Sequence, residues 1–212
     1  MIPATPFYMI RHGESEANAA RIMAGSLDSP LTDKGRAQAK TIHDILEHLE
    51  IKPRTIAHSA LSRARETAQI INEILDVPMI EDTDLAELHA GDWEGVHYDE
   101  CPDFLTGWAD PPNGETFEEF YQRIKGAKNR ILSKQESPTL LVCHGGVFRA
   151  FGKIYDLDSI GTKNCHLHRF EPRVDRPEFP WTVWQYDLAP CGTTIEKKRA
   201  ETYEIALKKL TA

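Results

Sequence analysis

The chain has no run of about 18 apolar residues, so no helix of the kind that crosses a membrane is expected. It also lacks an excess of positive charge. The formal net charge is −8, which excludes a surface that as a whole attracts nucleic acid, and an anionic substrate would need a local basic pocket. Cysteine is scarce and scattered: Cys101, Cys143, Cys165 and Cys191 form no C-x-x-C pair. That argues against a zinc site or a disulfide framework and for reduced thiols in the cytoplasm. The opening Met-Ile-Pro-Ala-Thr-Pro has neither the basic start nor the apolar core of a signal peptide, in keeping with the same compartment. No internal repeat, no low-complexity linker and no carboxylate cluster suited to Mg²⁺ is visible.

What is present is ordinary globular composition. With 212 residues, 41% of them hydrophobic, the chain has enough material for one domain over residues 1–212 with a sizeable core. Its most informative stretch comes early. Phe7-Tyr8-Met9-Ile10 is an apolar run of strand length, followed at once by Arg11-His12-Gly13. Glu14 to Arg21 then reads as the start of a helix. A strand that ends in a guanidinium, an imidazole and a glycine, and feeds a helix, places cations and free N–H groups at the carboxyl edge of a sheet. In open α/β sheets that edge binds ligands, and an anion is favoured there.

The rest of the chain repeats this arrangement. Thr32 caps a helix expected over 33–50, and Arg54–Ser59 reads as a second strand. A helix follows with Arg63 in its first turn, where a cation is disfavoured unless an anion sits nearby. Pro78–Glu81 reads as a short strand. Residues 84–95 form an acidic, glycine-bearing loop in which Glu87 stands between Leu85 and Leu88, a setting suited to a carboxyl that keeps its proton. Thr116 and Glu119 make a capping box for a helix reaching about Ser133. Thr139–Cys143 is the most apolar run, as a central parallel strand should be. It ends in His144-Gly145-Gly146 and passes into a helix over 147–155. Cys165–Phe170 and Thr182–Leu188 read as two more strands, and Thr194–Leu210 as a charged helix. His166 and His168 would share a strand face, but no third ligand accompanies them, so no metal site is expected. Alternating strands and helices predict a three-layer α/β/α fold with a mainly parallel central sheet and helices on both faces. The segment from about 90 to 133 is expected to make an excursion over the site.

Two histidines and two arginines at strand ends, with one glutamate from an acidic loop, supply what phosphoryl transfer through a covalent intermediate requires. Arg11-His12-Gly13-Glu14 with Asn18, Leu61-Ser62-Arg63-Ala64 with Thr67-Ala68, Leu85-x-Glu87 with Gly91-x-Trp93-Glu94-Gly95, Gly114-Glu115-x-Phe117, and His144-Gly145-Gly146 occur in this order. In that joint pattern the chain resembles the histidine phosphatase superfamily, the phosphoglycerate mutase-like fold, over residues 7–155. The resemblance implies that His12 is the nucleophile and becomes a phosphohistidine. It implies that Arg11, Arg63 and His144 bind the phosphoryl group, with Asn18 and the Gly145 amide as secondary contacts. Glu87 would donate a proton to the leaving alcohol and then activate water. No metal or other cofactor is expected.

Within that resemblance the chain reads as a phosphomonoesterase acting on a small phosphorylated metabolite. The alternative is a phosphoglycerate mutase, which would use 2,3-bisphosphoglycerate as cofactor. Such mutases carry a long basic insertion between the acid-loop glutamate and the second histidine, and here Glu87 and His144 are only 57 positions apart. A silent relative that only binds phospho-ligands is a third reading, set against the presence of His12, Arg63, Glu87 and His144. The leaving group would be read by loops 24–30 and 92–113, where Trp93, Tyr98, Phe104 and Trp108 form either a packed loop core or a stacking platform. Cys143, beside the basic groups, is a candidate oxidisable thiol. The proline-bearing segment 171–181 would close over the site or form a subunit contact, and a homodimer stays open.

Overall fold

Four consecutive residues of β1 (Phe7–Arg11) are fully buried, and their side chains alternate between two separate cores. Phe7 and Met9 join one, with Leu141 and Cys143 of β4 (Thr139–Cys143). Tyr8 and Ile10 join the other, with Leu140 and Val142. Strands buried on both faces need helices on both sides. The computed structural model describes residues 2–101, 109–157, 161–173, 175–189, 194–200 and 203. In it, α2 (Asp33–Glu47) and α3 (Ser62–Leu75) cover one face of the sheet, and α4 (Phe117–Lys134) and α5 (Gly145–Lys153) cover the other. The three-layer α/β/α arrangement is therefore present.

With β2 (Thr55–His58), β3 (Met79–Glu81), β5 (Leu167–Pro172), β6 (Trp181–Leu188) and β7 (Ile195–Arg199), the sheet order is β3-β2-β4-β1-β5-β6-β7. The strands from β3 to β1 are parallel, and β5, β6 and β7 extend the sheet as an antiparallel meander. Arg11 lies opposite Cys143, and His58 opposite Val142, so β1, β4 and β2 end level at one edge. Between β3 and α4 the chain makes single 3-10 turns at Thr83–Leu85, Gly91–Trp93 and Tyr98–Glu100.

Several element boundaries shift. The helix expected from Glu14 shrinks to one turn, α1 (Glu16–Ala19), capped by Ser15 and closed by Arg21 at φ 56°. Helix α2 keeps its Thr32 cap but stops at Glu47. Helix α5 begins at Gly145, two residues early, which puts Gly145 and Gly146 in its first turn.

One expectation is overturned, and one of two alternatives for another segment is excluded. Residues 195–199 are not helical: they form the edge strand β7, paired antiparallel with β6. Its charges misled because they serve the sheet. Lys197 and Arg199 lie 4.5 and 4.4 Å over the Trp184 ring, and Lys198 pairs with Asp187 at 2.9 Å. Lysine is a usual guard of an exposed strand edge. The remainder of that expected helix lies outside the described residues apart from Ala200 and Tyr203, both buried. The segment after β5 does not close over the site. It joins β5 to β6, with the Arg173 N–H bonded to the Pro180 carbonyl, and β5 has by then run to the opposite edge of the sheet.

One core residue is unusual. Lys128 of α4 is fully buried, its Nζ 2.8 Å from Met9 Sδ and 3.4 Å from the Phe151 ring centre. It has no carboxylate partner among the described residues, and burial pushes its amine well below the usual lysine range. The unfolded chain therefore holds the Lys128 proton more tightly than the folded chain, and folding becomes less favourable as pH falls below the unfolded value. Lys128→Met is expected to raise the thermal midpoint by about 5 °C at pH 7 and by less at pH 9. Thermal melts at both pH values check this, and an unchanged or lowered midpoint would contradict it.

Candidate active site

The sheet ladder continues one rung beyond its strands. The His12 N–H donates to the Cys143 carbonyl at 3.0 Å and the Ser59 N–H to the Val142 carbonyl at 3.1 Å. His12, Ser59 and His144 are thereby brought together. The two imidazoles are buried, with ring centres 5.1 Å apart. His12 Nδ1 lies 2.6 Å from the Gly13 carbonyl. A carbonyl only accepts, so Nδ1 carries the hydrogen and Nε2 keeps a free lone pair. His144 Nε2 lies 2.8 Å from Ser59 Oγ, while its Nδ1 is buried with no hydrogen-bond partner among the described residues. Gly13 packs so closely on Gly35 that a Cβ would overlap the Gly35 carbonyl, which is why the turn after His12 needs glycine. The Gly13 N–H donates to Thr67 Oγ1 at 3.0 Å, and that hydroxyl donates to the Arg63 carbonyl at 2.7 Å.

Arg63 is in the first turn of α3, but its head does not stay there. The buried guanidinium reaches the carbonyls of Leu27 and Gly25, each at 2.8 Å. That loop is held in turn by Glu94, whose Oε1 accepts from the Ser26 N–H, the Ser26 hydroxyl and the Ala90 N–H at 2.7 to 2.9 Å. Arg11 donates from Nη1 to the Thr162 carbonyl at 2.9 Å, and its buried Nε has no partner among the described residues. Asn164 Nδ2 donates to the His12 carbonyl at 2.9 Å and to Asn18 Oδ1 at 3.2 Å.

Glu87 reaches the other side of the site. Its Oε2 accepts from the Gly146 N–H at 2.9 Å, in the first turn of α5, and its Oε1 accepts from the Leu88 N–H at 3.0 Å. The positive end of a helix suits a carboxylate. A Cβ on Gly146 would overlap the Glu87 carboxylate, so the second glycine of His144-Gly145-Gly146 makes room for the acid. Arg11, His12, Asn18, Arg63, Glu87 and Gly145 all line one cavity of about 280 Å³. His144 stands behind it, against His12. Away from the cationic end the wall is Met23, Leu88, Phe117 and Phe120, with Tyr98 and Arg149.

Burial, and then the charges of Arg63 and Arg11, push both imidazoles well below the usual histidine range. Both are therefore neutral at physiological pH. Cys143 is corrected as a redox candidate: it is fully buried, and burial pushes its thiol up to about 12, so it holds almost no reactive thiolate. His166 and His168 hold no third ligand, and no group of three or more His, Cys, Asp or Glu residues that could hold a metal occurs among the described residues. Trp93 packs with Met23 and Ala90 in a small loop core, and Tyr98 packs against that core and also lines the cavity. Phe104 and Trp108 lie outside the described residues.

Sequence reasoning missed Ser59, Thr162, Asn164 and Arg123. Ser59 was legible in principle, as the next residue after a strand ending in His58. Thr162 and Asn164 had no signal, because only the antiparallel return of β5 beside β1 brings them to Arg11 and His12.

Comparison with known proteins agrees with this geometry. The histidine phosphatase superfamily (branch 1) matches residues 7–183. An adenosylcobalamin/alpha-ribazole phosphatase of Salmonella typhimurium is 37% identical over 151 residues, 66% of this chain and 74% of that protein. A probable phosphoglycerate mutase GpmB of Enterobacter sp. is 32% identical over 197 residues, 86% of this chain and 91% of that protein. Among solved structures, a mycobacterial glucosyl-3-phosphoglycerate phosphatase with VO3 superposes with a TM-score of 0.72 at 25% identity, covering 84% of this chain and 97% of that one.

The neutral histidines give a direct check. The imidazole NMR signals of His12 and His144, assigned with single His→Gln variants, are expected to stay flat between pH 5 and 8. A titration midpoint near 6.5 for either would contradict the burial argument. Because their folded values lie below the unfolded one, their contribution to stability is present above pH about 6.5 and lost as pH falls below it.

Proposed function

The chain belongs to the histidine phosphatase superfamily and is a phosphatase of that family, and from that premise we propose which groups perform the reaction and on what substrate. The observation that carries the reading is a pair of orphaned atoms. Arg11 Nε and His144 Nδ1 are buried without partners among the described residues; Arg11 lines the cavity with His12, and the His144 ring centre lies 5.1 Å from that of His12. Buried polar atoms are otherwise almost always hydrogen-bonded. A phosphoryl group seated on His12 satisfies both.

In this reading His12 Nε2 attacks phosphorus and the P–O bond to the alcohol breaks. Arg11, Arg63 and His144 hold the non-bridging oxygens, where negative charge builds up. Asn18 and the Gly145 amide add secondary contacts. The bound phosphate dianion favours the neutral form of the Glu87 carboxyl beside it, and that carboxyl gives its proton to the departing oxygen. The resulting carboxylate then takes a proton from water, whose oxygen attacks the phosphohistidine, breaks the P–N bond and releases phosphate. A bound dianion also compensates the desolvated guanidinium charges. Two fixed cations supply the charge, so we propose that neither a metal nor an organic cofactor takes part. Cys101, Cys143 and Cys165 are free among the described residues, and we propose a cytoplasmic setting.

The substrate is proposed to be a small phosphomonoester. Its alcohol portion would lie against Met23, Leu88, Phe117 and Phe120 and meet Tyr98 and Arg149 with a polar group. A mutase reading is favoured by the names of the GpmB relatives. It is opposed by the short interval from Glu87 to His144. Phosphorus NMR separates the two. With 3-phosphoglycerate, a trace of 2,3-bisphosphoglycerate and, in a second tube, a simple phosphomonoester, release of inorganic phosphate that His12→Ala lowers by at least about 1,000-fold is expected. Formation of 2-phosphoglycerate without phosphate release would replace the hydrolase by a mutase.

A further inference from the structure

Glu87 stands on a segment with little order of its own: the 3-10 turn ends at Leu85, and the next begins at Gly91. One side chain outside the cavity fixes it. Arg123, in the second turn of α4, donates from Nη1 to the carbonyls of Asp84 and Ala86 at 2.9 and 3.0 Å, and from Nη2 to the Glu87 carbonyl at 3.3 Å. Its Nε and Nη2 also grip both oxygens of Glu115, at 2.7 and 2.6 Å. Glu115 in turn ties down the far side of the loop. Its Oε2 accepts from the His89 N–H at 3.4 Å, and its N–H donates to the His89 carbonyl at 2.9 Å. The guanidinium lies 5.1 Å over the Phe120 ring. The acid loop is thus bracketed from Asp84 to His89 by one planar cation and its carboxylate.

We propose that Arg123 is the positioning residue of the proton donor. It holds the Glu87 backbone at the one place from which the carboxyl meets both the Gly146 N–H and the leaving oxygen. The geometry favours a guanidinium for this task. Three carbonyls and a bidentate carboxylate surround it in a fork that an ammonium cannot match. Arg123 does not line the main cavity; it lines a second one that Glu87 also borders, and its role in this inference is exerted through the Glu87 backbone. This inference rests on the reading of Glu87 as proton donor.

The test exploits what a general acid does. An alkyl phosphate leaves as a strongly basic alkoxide and needs the proton, whereas 4-nitrophenyl phosphate leaves as a stable anion and does not. The quantity compared is kcat/KM, which runs only to phosphoenzyme formation and so excludes the later role of Glu87 as base. Arg123→Gln is expected to lower kcat/KM on the alkyl phosphate by about 100-fold and on 4-nitrophenyl phosphate by less than about 5-fold, following the pattern of Glu87→Gln. In the Glu87→Gln background, Arg123→Gln should then cost the alkyl substrate little more. Equal losses on both substrates, or losses that multiply in the double variant, would overturn the inference and leave Arg123 a merely structural residue. If Arg123→Gln does not fold, Glu115→Gln loosens the same clamp and is read by the same ratio. The underlying reading fails separately: Glu87→Gln would then show no difference between the two substrates.

Discussion

The site depends on holding one buried guanidinium, Arg63, and one half-buried one, Arg11, beside two buried imidazoles without letting them repel the fold apart. Each loses hydration, and the two arginines carry like charge. The chain meets this cost with fixed acceptors. Arg63 is held by the Gly25 and Leu27 carbonyls and Arg11 by the Thr162 carbonyl. Both histidines give way in another manner: their surroundings keep them neutral. A site with fixed cations and neutral imidazoles is prepared for a dianion before one arrives, with little left to reorganise during reaction.

Everything around the site serves that arrangement. The parallel register of β1, β4 and β2 sets His12, His144 and Ser59 level. Glu94 shapes the loop whose carbonyls receive Arg63, so the second glutamate of the acidic segment works through backbone amides and not through substrate. Glu87 faces the opposite side of the cavity, where the N-terminal turn of α5 accepts a carboxylate. The cavity thereby carries Arg11, His12, Arg63 and Glu87 together with the apolar side chains of Met23, Leu88, Phe117 and Phe120.

Much of this was legible in the sequence where the signal was local. Strand, histidine and glycine occur twice in consecutive residues, and both copies bring the histidine to the carboxyl edge of the sheet, although only a single helical turn follows the first. The charge of Arg63 at a helix N-terminus also marked it as a residue with a task beyond the helix, and its immediate partners are carbonyls 36 and 38 residues away. What could not be read depends on distant pairing. Thr162 and Asn164 reach Arg11 and His12 only because β5 runs back beside β1. Arg123 reaches the Glu87 loop only because α4 packs across the turn at Thr83–Leu85. The error over 195–199 has a different cause: charged edge strands lack apolar alternation, so a run such as Glu196-Lys197-Lys198-Arg199 resembles a solvated helix face.

The central claim is that His12 carries the phosphoryl group. Rapid acid-free quenching during turnover of a phosphomonoester, followed by intact-mass and peptide mass spectrometry, tests it most directly. The account predicts an acid-labile, alkali-stable phosphoryl adduct on His12 that accumulates further in Glu87→Gln when 4-nitrophenyl phosphate is the substrate. Steady release of phosphate with no adduct on His12, or an adduct on another residue, would contradict it.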